Sequence, residues 1–139
     1  MGQVSVKVSM PVAADKVWQT LRDFGGIDKW APGIADLSLQ GAGVGAVRTM
    51  TFKDGSRVVE RLESLNDASR SLSYTILEST LPVEGFVASL TVREMGASGC
   101  EVEWFSTFGA KGAAEEDVSR MLALGYRMSL SGLQKSLKS

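Results

Sequence analysis

Residues 57–79, RVVERLESLNDASRSLSYTILES, read as two strands joined by a turn. From 57 to 66 the chain alternates, with Val58, Glu60, Leu62 and Ser64 on one face and Val59, Arg61, Glu63 and Leu65 on the other. NDAS (66–69) has the composition of a hairpin turn, and a second alternating run fills 70–79. Each face of the first strand carries an acid. A carboxylate turned into the protein is costly unless something answers it, so the orientation of this hairpin decides where a polar group enters the core. Parity groups Arg61 with Glu63 on a solvated face and leaves Glu60 on the other.

Runs of the same period occur at 3–10, 34–40, 46–53, 86–95 and 100–108. The punctuation between them is turn-like: KDGS (53–56), MGAS (95–98) and a longer apolar loop, STLPVEG (79–85). Between the first two strands, AADKVWQTLRDFGG (13–26) places Val17, Trp18, Leu21 and Phe24 at helical spacing before a Gly25–Gly26 stop, and IDKWAPG (27–33) suits a second short helix. After Gly112 the period becomes helical. Val118, Met121, Leu122, Gly125, Tyr126, Ser129, Leu130, Leu133 and Leu137 share a stripe, acids fill the first turn and the lysines of KSLKS (135–139) the last. The expectation is a single α+β domain over 1–139: strand, two short helices, six sequential strands forming an antiparallel meander, and one long helix. A sheet of seven strands twists and curls, and its apolar face needs a cover. Only the long helix is large enough, and a curled sheet gripping a helix leaves room for an internal cavity.

Composition removes several kinds of function. With 15 Lys+Arg against 16 Asp+Glu the net charge is −1, so there is no basic field to attract nucleic acid or an anionic membrane. There is no histidine and one cysteine, Cys100. No internal disulfide can form, Ser-His and Cys-His catalysis is removed, and neither a metal nor another cofactor is expected. The opening MGQVSVKVSM is a strand pattern and not a signal peptide, and no apolar run reaches membrane-spanning length. A cytoplasmic protein, monomeric or weakly dimeric and without stable membrane insertion, is expected. GAGVGA (41–46) matches a dinucleotide fingerprint letter for letter. That fingerprint needs a helix N-terminus after it to hold pyrophosphate, and here VRTMTF continues as a strand, so the match is read as a glycine-rich connection.

In the order of its elements, and in PVAADKVWQTLRDFGGIDKWAPGI, GAGVGAVRTM, VVERLESLNDASRSLSYTILES and EEDVSRM, the chain resembles the START-like or Bet v 1-like (SRPBCC) helix-grip superfamily. The similarity is to its polyketide cyclase/dehydrase and lipid transport branch, related to the plant abscisic-acid receptors. The resemblance implies a helix-grip fold with a cavity for a small, mostly apolar molecule. It places Val58, Glu60 and Leu62 on the cavity side, with Met50, Phe52, Tyr74, Ile76, Phe86 and Ala88. Trp30, Ile34, Met121, Gly125 and Ser129 complete the expected lining. Two features depart from the receptors: KDGS and STLPVEG stand in place of their gate and latch loops, and their carboxylate-pairing lysine aligns with Ala31 or Trp30.

Arg48 shares parity with Met50 and Phe52, and is read either as a rim salt bridge or as the counterion of an acidic ligand group. Glu60 has two readings as well: a structural partner of Arg48 or Tyr74, or the polar anchor of a ligand and a general acid/base. Strand 100–108 is open to two orientations. The resemblance turns Glu101, Glu103 and Phe105 inward and is preferred, whereas plain alternation turns Val102 and Trp104 inward. The leading function is binding of an apolar small molecule (a lipid, polyketide or aromatic or isoprenoid metabolite) for transport or sensing. The alternatives are a cyclase or dehydratase using Glu60, Tyr74 and Glu103, and a partner-binding protein using the 79–86 loop.

Overall fold

The computed structural model describes residues 1–138. The elements run β1 (Gly2–Met10), α1 (Ala14–Leu21), a 3₁₀ helix (Phe24–Lys29), β2 (Ile34–Gln40), β3 (Val47–Phe52), β4 (Arg57–Asn66), β5 (Ser71–Ser79), β6 (Val83–Glu94), β7 (Cys100–Ala110) and α2 (Glu115–Lys138). The seven strands form one curved antiparallel sheet in the order β1-β7-β6-β5-β4-β3-β2. Every connection from β2 to β7 joins sheet neighbours, and only β1 crosses over, to pair with β7.

Two local expectations are corrected. The first helix ends at Leu21 instead of running to the glycine pair, because Gly25 and Gly26 are taken into the 3₁₀ turn. STLPVEG is not all loop, since β6 begins at Val83 with a register shift between Glu84 and Val87. The glycine-rich connection 41–46 leads into a strand, as its sequence suggests. Gly41, Gly43 and Gly45 all have positive φ, a conformation that costs glycine little and other residues more, and the Ala46 N–H closes the turn onto the Gly43 carbonyl at 3.0 Å. Glu115, Glu116 and Asp117 supply the acidic first turn of α2. The expected lysines of its last turn include Lys138, whose side chain lies outside the described residues.

The inward faces of the strands and the buried stripe Val118, Leu122, Tyr126, Leu130 and Leu133 of α2 make one continuous core. α1 adds Val17, Trp18 and Leu21 to it. Trp18 is fully packed, and its indole N–H reaches Asp67 Oδ1 in the β4–β5 turn at 2.8 Å. α2 packs along β1 and touches β7. Seven strands about 4.8 Å apart span roughly 29 Å, whereas a helix with its side chains is only about 10–12 Å across. One helix laid over β1 and β7 therefore cannot cover β3, β4 and β5. The space between those strands and the flank of α2 is the cavity.

Candidate functional site

Cross-strand register builds the polar part of the cavity. Arg48 on β3 lies directly opposite Glu60 on β4, and Met50 opposite Val58. Residues facing one another across an antiparallel pair project to the same side with close Cβ atoms, so both charged side chains enter the interior together. Glu60 is 6 % exposed and Arg48 4 %. Arg48 Nε donates to Glu60 Oε1 at 2.7 Å, Nη2 lies 2.7 Å from the same oxygen, and Nη1 donates to the Phe24 carbonyl at 3.0 Å. The guanidinium also rests over the Phe24 ring at 3.9 Å and near the Tyr74 ring at 5.2 Å, positions that favour a cation. Arg48 is thus a buried member of an ion pair rather than a rim residue. Burial raises the Glu60 pKa above the ordinary glutamate value, and Arg48 opposes that rise without cancelling it.

A second polar set lies beside the pair. Trp104 Nε1 donates to the Tyr74 hydroxyl at 3.1 Å, and the Tyr126 hydroxyl donates to Ser106 Oγ at 3.0 Å. The Trp104 and Tyr126 rings stack at 4.2 Å with planes 9° apart, joining α2 to β7. Burial lifts the pKa of Tyr74 well above the usual phenol range, with the Glu60 charge adding to the effect, and raises Tyr126 as well. Both phenols are neutral hydrogen-bonding groups near neutral pH.

The cavity these residues bound measures ≈ 270 Å³. Its sheet wall is Arg48, Met50 and Phe52 from β3, Val58 and Glu60 from β4, Tyr74 and Ile76 from β5, Phe86 from β6 and Trp104 from β7. Ile34 of β2 closes one side, and Met121, Leu122, Gly125, Tyr126, Met128 and Ser129 form the α2 side. Met121 and Met128 are 40 % and 51 % exposed, and a Cβ added at Gly125 would meet nothing within 4 Å. The cavity reaches solvent along this flank of the helix. Gly125 therefore borders open space and does not serve close contact with the sheet.

Five expected lining residues lie elsewhere. Glu103 and Phe105 are on the outer face of β7, a correction to the orientation the resemblance suggested. β7 is held between Val4 and Val6 of β1 and Leu90 and Val92 of β6, whose registers with Ser106, Trp104 and Val102 turn the even-numbered residues inward. Glu103 instead accepts hydrogen bonds from Arg93 at 2.9 Å and from the Ser5 hydroxyl at 3.1 Å, which hold its carboxyl below the usual range. It cannot act on anything in the cavity. Leu62 and Ala88 face inward, but each lies opposite Tyr74 in register and packs in the core beside it. Trp30 is buried against Trp104 with ring centres 6.3 Å apart, and its neighbour Ala31 lines the cavity instead.

Sequence reading did not assign Ile27, Ala31, Pro32, Leu81, Leu122, Tyr126 or Met128 to the lining. Leu122 and Tyr126 were visible as members of the helix stripe, and Trp104 as the product of simple alternation. Ile27 comes from the short 3₁₀ helix and Ala31, Pro32 and Leu81 from connecting segments, where no sustained period marks direction. Among the described residues no cluster of His, Cys, Asp and Glu could hold a metal, and no helix is long and apolar enough to cross a membrane.

The family described as polyketide cyclase / dehydrase and lipid transport has a model that matches residues 1–138. The chain belongs to that family. No protein of curated function matches it. Among solved structures it is similar to the protein XoxI from Bacillus cereus, with 27 % identity and a TM-score of 0.91 over 100 % of this chain and 97 % of that one. More distant similarity, at 18 % identity and a TM-score of 0.83, relates it to the Zhui aromatase/cyclase from Streptomyces sp. R1128, covering 98 % and 93 % of the two chains. Norcoclaurine synthase from Thalictrum flavum, solved with dopamine and hydroxybenzaldehyde, is 19 % identical with a TM-score of 0.79, covering 96 % and 84 %. At those lower identities the similarity is one of fold. It is the helix-grip fold of the SRPBCC superfamily.

Proposed function

We propose that the protein binds a small, mostly apolar molecule in the cavity beneath α2, for transport or sensing. The observation that carries this reading is an interior space lined by Met50, Phe52, Val58, Ile76, Phe86 and Leu122, open to solvent beside Gly125. A cavity of ~150 Å³ lined by apolar side chains already accepts benzene, so ≈ 270 Å³ suits a molecule larger than one ring. The family description joins cyclisation and dehydration to lipid transport, and a carrier needs no machinery beyond the cavity itself.

A cyclase or dehydratase is the second reading, favoured by the placement of Glu60, a buried carboxyl on the cavity wall whose pKa burial raises. Such a shift suits a general acid. Burial makes Tyr74 and Tyr126 weaker acids and Glu103 lies outside, so Glu60, bound to Arg48, would carry the main proton transfer. Docking of a partner on the 79–86 loop has less support, because Leu81 is turned into the cavity lining.

Titration with an apolar fluorescent dye tests the binding reading. The wild type is expected to bind it, and Gly125→Leu, which places a branched side chain at the opening, to weaken binding several-fold without loss of fold. Equal affinity in the two proteins would remove the cavity from that part of the helix.

A further inference from the structure

We propose that the cavity selects its ligand by charge: it takes an apolar molecule bearing a neutral hydroxyl, and Glu60 excludes the corresponding carboxylate. This rests on the reading that the cavity is a ligand site, and it assigns a specificity role to a residue that otherwise looks structural. A lone buried Arg48 would attract an acidic ligand. Here the guanidinium is already answered, by Glu60 Oε1 through Nε and Nη2, by the Phe24 carbonyl through Nη1 and by the Phe24 ring beneath it. The pair is neutral as a unit. An incoming carboxylate would find no free cation to offset its loss of hydration in this water-poor site, because the guanidinium donors are already taken up by Glu60 and the Phe24 carbonyl.

What remains available is specific in kind. Both Arg48 contacts fall on Glu60 Oε1, and among the described residues no donor engages Oε2. The Tyr74 oxygen accepts from Trp104, and its own proton has no acceptor among the described residues. Glu60 and Tyr74 stand on adjacent strands and both line the cavity. These two groups offer one acceptor and one donor on the sheet wall, across from the Ser129 hydroxyl on the helix side. A hydroxyl can donate to the first and accept from the second. An ammonium group could only donate, and an ether, ketone or carboxylate could only accept, so of these groups only the hydroxyl leaves neither Glu60 nor Tyr74 unpaired.

The test compares 2-naphthol with 2-naphthoate at neutral pH by isothermal titration calorimetry on the intact chain, the first probe being neutral and the second anionic. The wild type is expected to bind naphthol at least ~10-fold more tightly, a difference of about 1.4 kcal/mol. Glu60→Gln, which keeps the shape and removes the charge, is expected to shift the preference toward naphthoate by a similar factor, because Arg48 then lacks its counterion. Equal affinities in the wild type, or a preference unchanged by Glu60→Gln, would overturn the proposal. The wild-type comparison stands even if the variant fails to fold. Should neither probe bind while an apolar dye does, charge selection falls and the cavity reading survives; if the dye also fails, both fall.

Discussion

The Arg48–Glu60 pair is asymmetric in what each side chain would lose. Arg48 has the Phe24 carbonyl and two aromatic faces besides its carboxylate partner, whereas Glu60, among the described residues, accepts from Arg48 alone. Removing the arginine strands a buried anion. Arg48→Met is accordingly expected to destabilise the fold by about 3–5 kcal/mol at neutral pH, measured by urea denaturation. Glu60→Gln should behave differently. Its folded pKa is raised, so the folded state holds the proton better than the unfolded state. The stability this contributes is fully present below the unfolded value of about 4.3 and is lost as pH rises through the higher folded value. The simple expectation that pairing with Arg48 would depress the pKa and reverse this sign is not met, because desolvation outweighs the attraction. Glutamine resembles the protonated acid. The variant should therefore match the wild type in stability at acid pH and become the more stable of the two as pH rises to neutrality. A wild type that is clearly more stable than Glu60→Gln at pH 7 would show the carboxylate to be net stabilising.

Within α2, two glycines only seven residues apart have opposite surroundings. A Cβ at Gly132 would lie 2.2 Å from the Trp30 carbonyl oxygen, a backbone atom that cannot swing away, whereas one at Gly125 meets nothing. Alanine is favoured over glycine in a helix by about 1 kcal/mol. Gly125→Ala should thus raise the midpoint of thermal unfolding, while Gly132→Ala should lower it despite the same propensity gain; equal shifts would contradict the packing of the 30–32 segment on the helix. Neither glycine announces its role in the sequence, since each is simply a gap in a helical pattern. β7 teaches a related lesson. Its alternation alone, Val102, Trp104, Ser106 and Phe108 against Glu101, Glu103 and Phe105, pointed the right way, and the resemblance misled because a family pattern does not fix parity in a given strand. Neighbouring strands do: Val6 and Leu90 flank Trp104 on either side.

For the molecule as a whole, the order of elements and the curled sheet around one helix were legible because each element carries a long, regular period. The sheet half of the cavity, Met50, Phe52, Val58, Glu60, Tyr74 and Ile76 with Arg48 sharing the parity of Met50, came from the family resemblance; the alternation of those strands agrees with it but does not by itself say which face is inward. Three things were not legible: the register that sets Arg48 opposite Glu60, Ile27 of the 3₁₀ helix with the loop residues Ala31, Pro32 and Leu81, and where the lining gives way to solid core at Leu62 and Ala88. These depend on distances between elements, which no local pattern encodes. The cavity follows from the mismatch between a sheet roughly 29 Å wide and a helix laid over its β1 and β7 side, and the central claim is that a ligand enters there. Intermolecular nuclear Overhauser effects between 2-naphthol and the protein's methyl and indole protons test this most directly. Contacts to Met50, Ile76, Leu122 and Trp104 are predicted. Contacts confined to the exposed outer-face residues Leu77 and Val87, with none to those four, would contradict it.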